Sequence, residues 1–231
     1  MKPPITISKE DYLKAVLEAE SEGQEVIPAT LAHWLSVSAP AVTMALRRLK
    51  RDELVTVRND GRVQLTAAGR RIARRTAMRH HLIERMLHEV FGMEWYKVHD
   101  EAERLEHAVS GDFEVMLSRK LGRGGPCPHG NPPTPESPRA RRKRGLLLLS
   151  ESQPGGRYAV RSVYERDRKL GEFLENLGIR PGAEIAVNQR NYDDTLSLVT
   201  TAGRVSLGRS AAEKIWVAPT NGSTASRLQK N

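Results

Sequence analysis

His80 and Glu84 lie four residues apart, and His99, Glu103, Glu106 and His107 follow one another at relative positions 0, 4, 7 and 8. On an α-helix those spacings bring side chains back to one face. Two facing helices would then offer three imidazoles and three carboxylates to a common space. Nitrogen and oxygen donors without a thiolate suit Mn(II), Fe(II), Co(II) or Zn(II) and disfavour Cu(I). A lone histidine is ordinarily a surface residue, and His33, His81 and His88 are read that way; the clustering of the other residues on common faces sets them apart. Hydrolytic chemistry is not indicated. His88-Glu89 has no second histidine at the HExxH spacing, and no GxSxG, P-loop or dinucleotide fingerprint occurs.

These residues sit in an unevenly charged chain of 231 residues, with 37 Lys plus Arg against 28 Asp plus Glu and a formal net charge of +9. Between Pro28 and Arg79 there are eleven basic and three acidic residues, a local +8; from His80 to Leu121 nine acidic residues face five basic ones, a local −4, with five of the seven histidines. The first stretch suits a polyanion and the second a divalent cation. The single cysteine, Cys127, excludes an internal disulfide and a CxxC knuckle. Mean hydropathy is −0.52, and no apolar run approaches the ~18 residues of a spanning helix. The start, MKPPITISKEDY, lacks the apolar core of a secretory signal. A cytoplasmic protein without a membrane partner is expected.

Elements must position these groups. Residues 7–22 read as a first helix with Ser8 as N-cap and Leu13, Val16 and Leu17 at helical spacing. Pro28 opens a short second helix to Leu35. Ser38 and Pro40 open a third, running to about Asp52, with Val42, Leu46 and Leu49 as its buried stripe. LVTVRNDGRVQLT alternates on both sides of Asp60-Gly61, a hairpin signal. Three helices followed by a hairpin form a winged helix-turn-helix, whose third helix enters the major groove. The groove-facing positions are Ser38, Ala39, Pro40, Ala41, Thr43 and Met44, with Arg47, Arg48 and Lys50 behind them and Arg58 and Arg62 on the wing. The small residues suit thymine methyls and shape readout, and the basic ones suit phosphates.

One long helix is expected from Thr66 to Phe91, broken by Gly92, and a second over KVHDEAERLEHAV. The Gly- and Pro-rich run from Leu121 to Gly145 reads as a linker or irregular arm, its basic end at Arg139 to Arg144 included. Beyond it, short β-type runs with one helical insert at Asp167 to Leu177 fit a small β-barrel. The expected layout is a winged helix over 1–78, a helical metal-binding and dimerisation domain over 79–138, a linker over 139–150, an SH3-like domain over 151–219 and a disordered tail over 220–231. The fold class is thus a mostly α N-terminal part followed by a small SH3-like β-barrel domain.

EDYLKAV, the Ser-Ala-Pro-Ala-Val start of the third helix, RHHLIER, KVHDEAERLEH and CPHGNPPTP resemble the diphtheria toxin repressor family of metal-dependent transcriptional repressors, over about residues 5 to 217. The resemblance implies a primary regulatory metal site at Asp11, Glu103, Glu106 and His107. It implies an ancillary site at His80, Glu84 and His99, with a carboxylate from the third domain for which Asp167 or Glu165 is the match. Iron-type members tend to carry Met and Cys where this chain has Asp11 and Glu103, so Mn(II) is favoured, with Fe(II) next and Zn(II), Co(II) or Ni(II) as substitutes. Two-metal manganese-type members carry an acid where this chain has Lys14, which favours separate sites and a pairing of Lys14 with Asp11. The implied partners are a palindromic double-stranded operator and a second copy of the chain. In the implied mechanism Asp11, Glu103 and Glu106 repel one another without metal. The competing expectation is a winged-helix interaction protein with a structural metal.

Overall fold

The structure, a computed structural model, describes residues 7–122 and 124–220. The tail expected over 220–231 lies outside them except for Thr220. The chain forms two units. One comprises the described residues up to Ile83 with Glu103–Gly125 and Pro132–Pro138; the other comprises Glu84–Ala102, Pro126–Asn131 and the described residues from Arg139 onward.

The first unit opens with α1 (Ile7–Ser21), α2 (Pro28–Leu35) and α3 (Ala39–Arg51). Ser8 falls within the first turn of α1 instead of before it. Pro28 stands at the start of α2, and Ser36 ends it in the left-handed region at φ 53°. The Ser38 hydroxyl accepts from the Ala41 amide at 3.4 Å and caps α3. Across this break the helix axes turn by 112°, within the range of a helix-turn-helix. β1 (Val55–Val57) and β2 (Val63–Leu65) pair antiparallel, with Val55 opposite Leu65 and Val57 opposite Val63. Leu13, Leu31, Val42, Leu49, Val55 and Val63 are buried in one apolar cluster that ties the three helices to the hairpin. Thr66 caps the next helix, its Oγ1 accepting from the Gly69 amide at 3.1 Å.

That helix, α4 (Ala67–Arg85), continues into a π-helical turn, Met86–Val90, and Gly92 at φ 68° follows the end of it. Then come α5 (Val98–Leu105) and α6 (Gly111–Leu121). α6 lies beyond the second helix expected over KVHDEAERLEHAV and is separate from it. Ser110 caps it, accepting from the Phe113 amide at 3.2 Å.

Past Pro138 the second unit holds the rest of α7 (Pro138–Lys143) and β3 (Leu147–Leu148), so the span expected as a linker contains a short helix and a strand. β3 pairs with the last strand through Leu147–Val217 and Leu148–Trp216. Arg141 is buried: its guanidinium donates to Ser162 Oγ at 3.3 Å and Asn131 Oδ1 at 3.4 Å and lies 5.2 Å from the Trp216 ring. Arg142 forks onto Glu151 at 2.7 and 2.8 Å. The basic run therefore docks this segment through stacking and bidentate pairing. After β4 (Arg157–Val163), α8 (Arg168–Asn176), β5 (Glu184–Arg190), β6 (Leu196–Thr200), β7 (Gly203–Leu207), α9 (Arg209–Ala212) and β8 (Ile215–Pro219), the strands lie in the order β3-β8-β4-β5-β6-β7, every pair antiparallel. They form an SH3-like sheet, and no β3–β7 pairing closes it among the described residues. Leu149, Val160, Leu174, Ile185, Leu198 and Ile215 fill its core. Among the described residues no single helix is long and apolar enough to cross a membrane.

Candidate metal centre and nucleic-acid interface

Asp11 stands on α1 one turn before Lys14, and Glu106 and His107 follow the end of α5. His107 Nε2 lies 2.6 Å from Asp11 Oδ1 and 3.4 Å from Glu106 Oε1, and ligand atoms of Asp11, Glu106 and His107 all fall within 4.8 Å of one another. Glu106 is fully buried, whereas the Asp11 side chain is 32% exposed, so the cluster has a dry floor and a wet rim. Burial raises the Asp11 pKa, and the neighbouring His107 and Lys14 only partly offset it. Desolvation also acts to raise Glu106. There it is overcome by the hydrogen bond from His80, whose Nδ1 is 2.7 Å from Glu106 Oε2, and by the Lys14 ammonium, so the net shift is downward.

Lys14 does not take the partner expected of it. Its Nζ donates to Glu106 Oε1 at 2.7 Å and Oε2 at 2.8 Å and to Glu103 Oε1 at 3.1 Å. Glu103, expected beside Asp11, is therefore held through Lys14. The reason is reach: a four-carbon stem on α1 extends past the carboxylate three residues earlier to the residues at and after the end of α5.

The remaining expected ligands are placed as follows. His80 and Glu84 stand one turn apart on α4. In the second unit Glu84 Oε1 lies 3.3 Å from His99 Nδ1 and 3.5 Å from His129 Nδ1. Cys127 Sγ is 3.9 Å from His129 Nδ1 and 3.8 Å from Glu165 Oε2, and Glu84, Cys127 and Glu165 present ligand atoms within 4.8 Å. Asp167 is elsewhere. Its carboxylate accepts from the Leu170 amide at 3.0 Å, capping α8, and from Lys214 Nζ at 3.0 Å; the place beside Cys127 belongs to Glu165. The Pro- and Gly-rich surroundings of Cys127 and His129 read as a linker, although a thiol and an imidazole are both metal-ligand types. Burial pushes the Cys127 thiol well up, and the Glu84 and Glu165 carboxylates push it further. A nearby cation would reverse that preference. Gly130 locks the turn: at φ 83° a Cβ would stand 2.0 Å from the Arg161 carbonyl oxygen.

Both clusters fit a divalent ion by donor chemistry, the first through carboxylate and imidazole alone and the second with one thiol added.

The groove-facing residues Ser38, Ala39, Pro40, Ala41, Thr43 and Met44 are all exposed, as are Arg47, Arg48, Lys50, Arg58 and Arg62, while Val42, Leu46 and Leu49 are buried behind them. Met44, 56% exposed, is a large apolar side chain between the small residues that open the helix and the basic ones that follow. Arg62 pairs with Glu25 and lies 3.6 Å from Asp60, so it is more tightly engaged than the arginines of α3.

Three family descriptions match in succession: "Iron dependent repressor, N-terminal DNA binding domain" over residues 5–63, "Iron dependent repressor, metal binding and dimerisation domain" over 66–135, and "FeoA domain" over 147–219. Similar proteins include the diphtheria toxin repressor of Corynebacterium jeikeium, 33% identical over 76% of this chain and 82% of that one, and the iron-dependent repressor IdeR of Mycobacterium tuberculosis, 34% identical over 77% and 82%. Among solved structures, a manganese-dependent transcriptional repressor in complex with manganese superposes with a TM-score of 0.81 at 31% identity, covering 92% of this chain and all of that one. The manganese regulator SloR gives 0.74 at 26%, covering 94% of this chain and all of that one. With a winged helix that exposes a basic recognition face, buried clusters of carboxylate and imidazole, and these matches along nearly its whole length, the chain belongs to the iron-dependent repressor family of metal-dependent, DNA-binding transcriptional repressors, which are not enzymes.

Proposed function

We propose that the chain represses transcription as a homodimer on a palindromic operator when Mn(II), or Fe(II) as the second choice, is held by Asp11, Glu106 and His107 with Glu103 beside them. Zn(II), Co(II) and Ni(II) would substitute in vitro. The observation that carries the proposal is the meeting of Asp11 with His107 at 2.6 Å. Asp11 rides on the helix whose buried face shares one apolar core with the recognition helix, and His107 comes from a distant part of the chain. A bound ion would supply positive charge where the Asp11 and Glu106 carboxylates meet His107. Asp11 then couples α1, and through the shared core α3, to the residues after α5. His80 holds Glu106 in orientation from behind, as a carboxylate's hydrogen-bonded neighbour does. The absence of a thiolate from this first cluster favours the harder Mn(II).

Dimerisation is supported by α6, which exposes Phe113, Val115 and Met116 within the segment matching the dimerisation domain. Two recognition helices related by a two-fold would read half-sites about 34–36 Å apart. Glu84, Cys127, His129 and Glu165, with His99 beside Glu84, are proposed as an ancillary site.

The test is operator binding by fluorescence anisotropy under anaerobic conditions, on a palindromic duplex selected from the promoter regions the protein enriches. Mn(II) or Fe(II) should tighten binding relative to chelator-treated protein. Equal affinities with and without metal would support the alternative of a structural metal.

A further inference from the structure

Among the described residues Lys14 is the one buried lysine, at 3% exposure. A buried ammonium is costly unless its charge is matched, and here it is matched by groups that the proposed metal site also needs. Both oxygens of Glu106 accept from it, one oxygen of Glu103 accepts from it, and His80 Nδ1 lies 3.4 Å away. Glu18, one turn further along α1, adds to the field that keeps it charged: burial alone would depress its pKa, yet the three carboxylates carry it above its ordinary value.

We propose that the Lys14 ammonium is a tethered counter-cation of the Asp11–Glu106–His107 cluster, which keeps Glu106 and Glu103 gathered in the metal-free protein and competes with the divalent ion for Glu106. The inference rests on the metal reading given above. It follows from counting lone pairs. A carboxylate offers about four acceptor sites, and on Glu106 Lys14 engages both oxygens while His80 takes Oε2 as well. An ion can gain full use of that carboxylate only as Lys14 yields it. Lys14 thereby raises the metal concentration at which the cluster fills, and it replaces the metal-free repulsion expected from the sequence with an internally neutralised state. Asp11 pairs instead with His107, itself a member of the cluster, so the lysine's hydrogen bonds fall on Glu106 and Glu103 and not on Asp11.

An ordinary structural ion pair would act in the opposite direction: removing it would loosen α1 from the residues after α5 and weaken metal binding. Calorimetric titration of the full chain with Mn(II) alone separates the two. In Lys14→Met, which keeps the length and loses the charge, affinity at this cluster should rise at least tenfold, and the gain should vanish in a His107→Ala background. Lys14→Arg should stay within about threefold of the wild type. An unchanged or weakened affinity in Lys14→Met, or a gain that survives His107→Ala, overturns the inference. If Lys14→Met does not fold without metal, Lys14→Gln takes its place and should show the same rise; an unchanged or weakened affinity there overturns the inference equally. Failure of the metal reading looks different, because wild type and His107→Ala would then bind Mn(II) alike.

Discussion

His107 Nε2 and Asp11 Oδ1, 96 residues apart in sequence, meet at 2.6 Å. The contact joins the first helix of the DNA-binding segment to the residues that follow α5, and no other expected ligand comes from α1. Asp11→Ala should therefore leave the protein folded and still able to bind DNA weakly at low salt, while Mn(II) loses its effect on operator affinity. A coupling of about 1–3 kcal/mol, roughly 5- to 150-fold, is typical of such switches. In the variant the metal effect should fall within twofold of unity, and a surviving tenfold stimulation in anisotropy titrations would exclude Asp11 from the switch.

Arg47 and Arg58 are exposed on the recognition helix and the wing. As phosphate contacts, each contributes to affinity on every sequence alike. Replacing either with alanine should reduce the slope of log K against log salt by about 0.9 per lost contact. Met44, in contrast, should affect discrimination between operators more than the salt slope. Binding measured from 50 to 200 mM salt on matched and scrambled duplexes checks both.

The Asp167 cap predicts a pH dependence. Desolvation acts to raise its pKa, but the Leu170 amide and the Lys214 ammonium outweigh it and hold the carboxyl below the usual carboxylate range. A group depressed in the folded state stabilises fully above its unfolded pKa of about 3.9 and loses that contribution as pH falls through the folded value. Asp167→Ala should cost about 1 kcal/mol at neutral pH, the usual worth of an N-cap. The gap from wild type in urea unfolding should close on acidification below pH ~4. A gap constant down to pH 2 would mean that charge plays no part.

Gly130→Ala should be among the most damaging single methyl additions in the second unit. The position demands a left-handed backbone, costing a non-glycine residue about 1–2 kcal/mol, and the new Cβ would stand 2.0 Å from the Arg161 carbonyl oxygen. Together with overpacking of about 1–3 kcal/mol, a loss of several degrees in melting temperature is expected. An alanine variant as stable as the wild type would show that the turn can shift, and Cys127 and His129 with it.

The helical and strand periodicities carried most of the architecture. The stripe of Val42, Leu46 and Leu49, the Asp60-Gly61 turn and the Ser38 cap need only nearest-neighbour physics, and each is visible in the chain. What stayed hidden depends on partners distant in sequence. Arg141 reads as a linker residue until Trp216 and Ser162 are beside it. Asp167 and Glu165, two residues apart, divide the work of capping and clustering in a way set by where the strand before them ends. Lys14 was paired with the nearest acid along the helix, but its reach was decided by the residues at and after the end of α5. Cys127 and His129 were concealed by proline and glycine, which signal loops regardless of whether the loop is rigid. α6 carries no strong apolar period, and its Ser110 cap is evident only once the Phe113 amide is seen to donate to it.

One consequence follows from α4, uninterrupted from Ala67 to Arg85. Each residue of an α-helix advances the rotation by about 100° and the axis by about 1.5 Å. Deleting a single residue between Arg70 and Thr76 would turn the rest of α4 by more than a quarter of a revolution relative to its first turns and swing the His80 imidazole away from Lys14 on α1. An insertion of seven residues, about 20° short of restoring the original angle, is the smallest change in length that nearly preserves it. The helix thus acts as a timing shaft: its exposed surface is open to substitution, while its residue count is fixed by the angular position that His80 must keep.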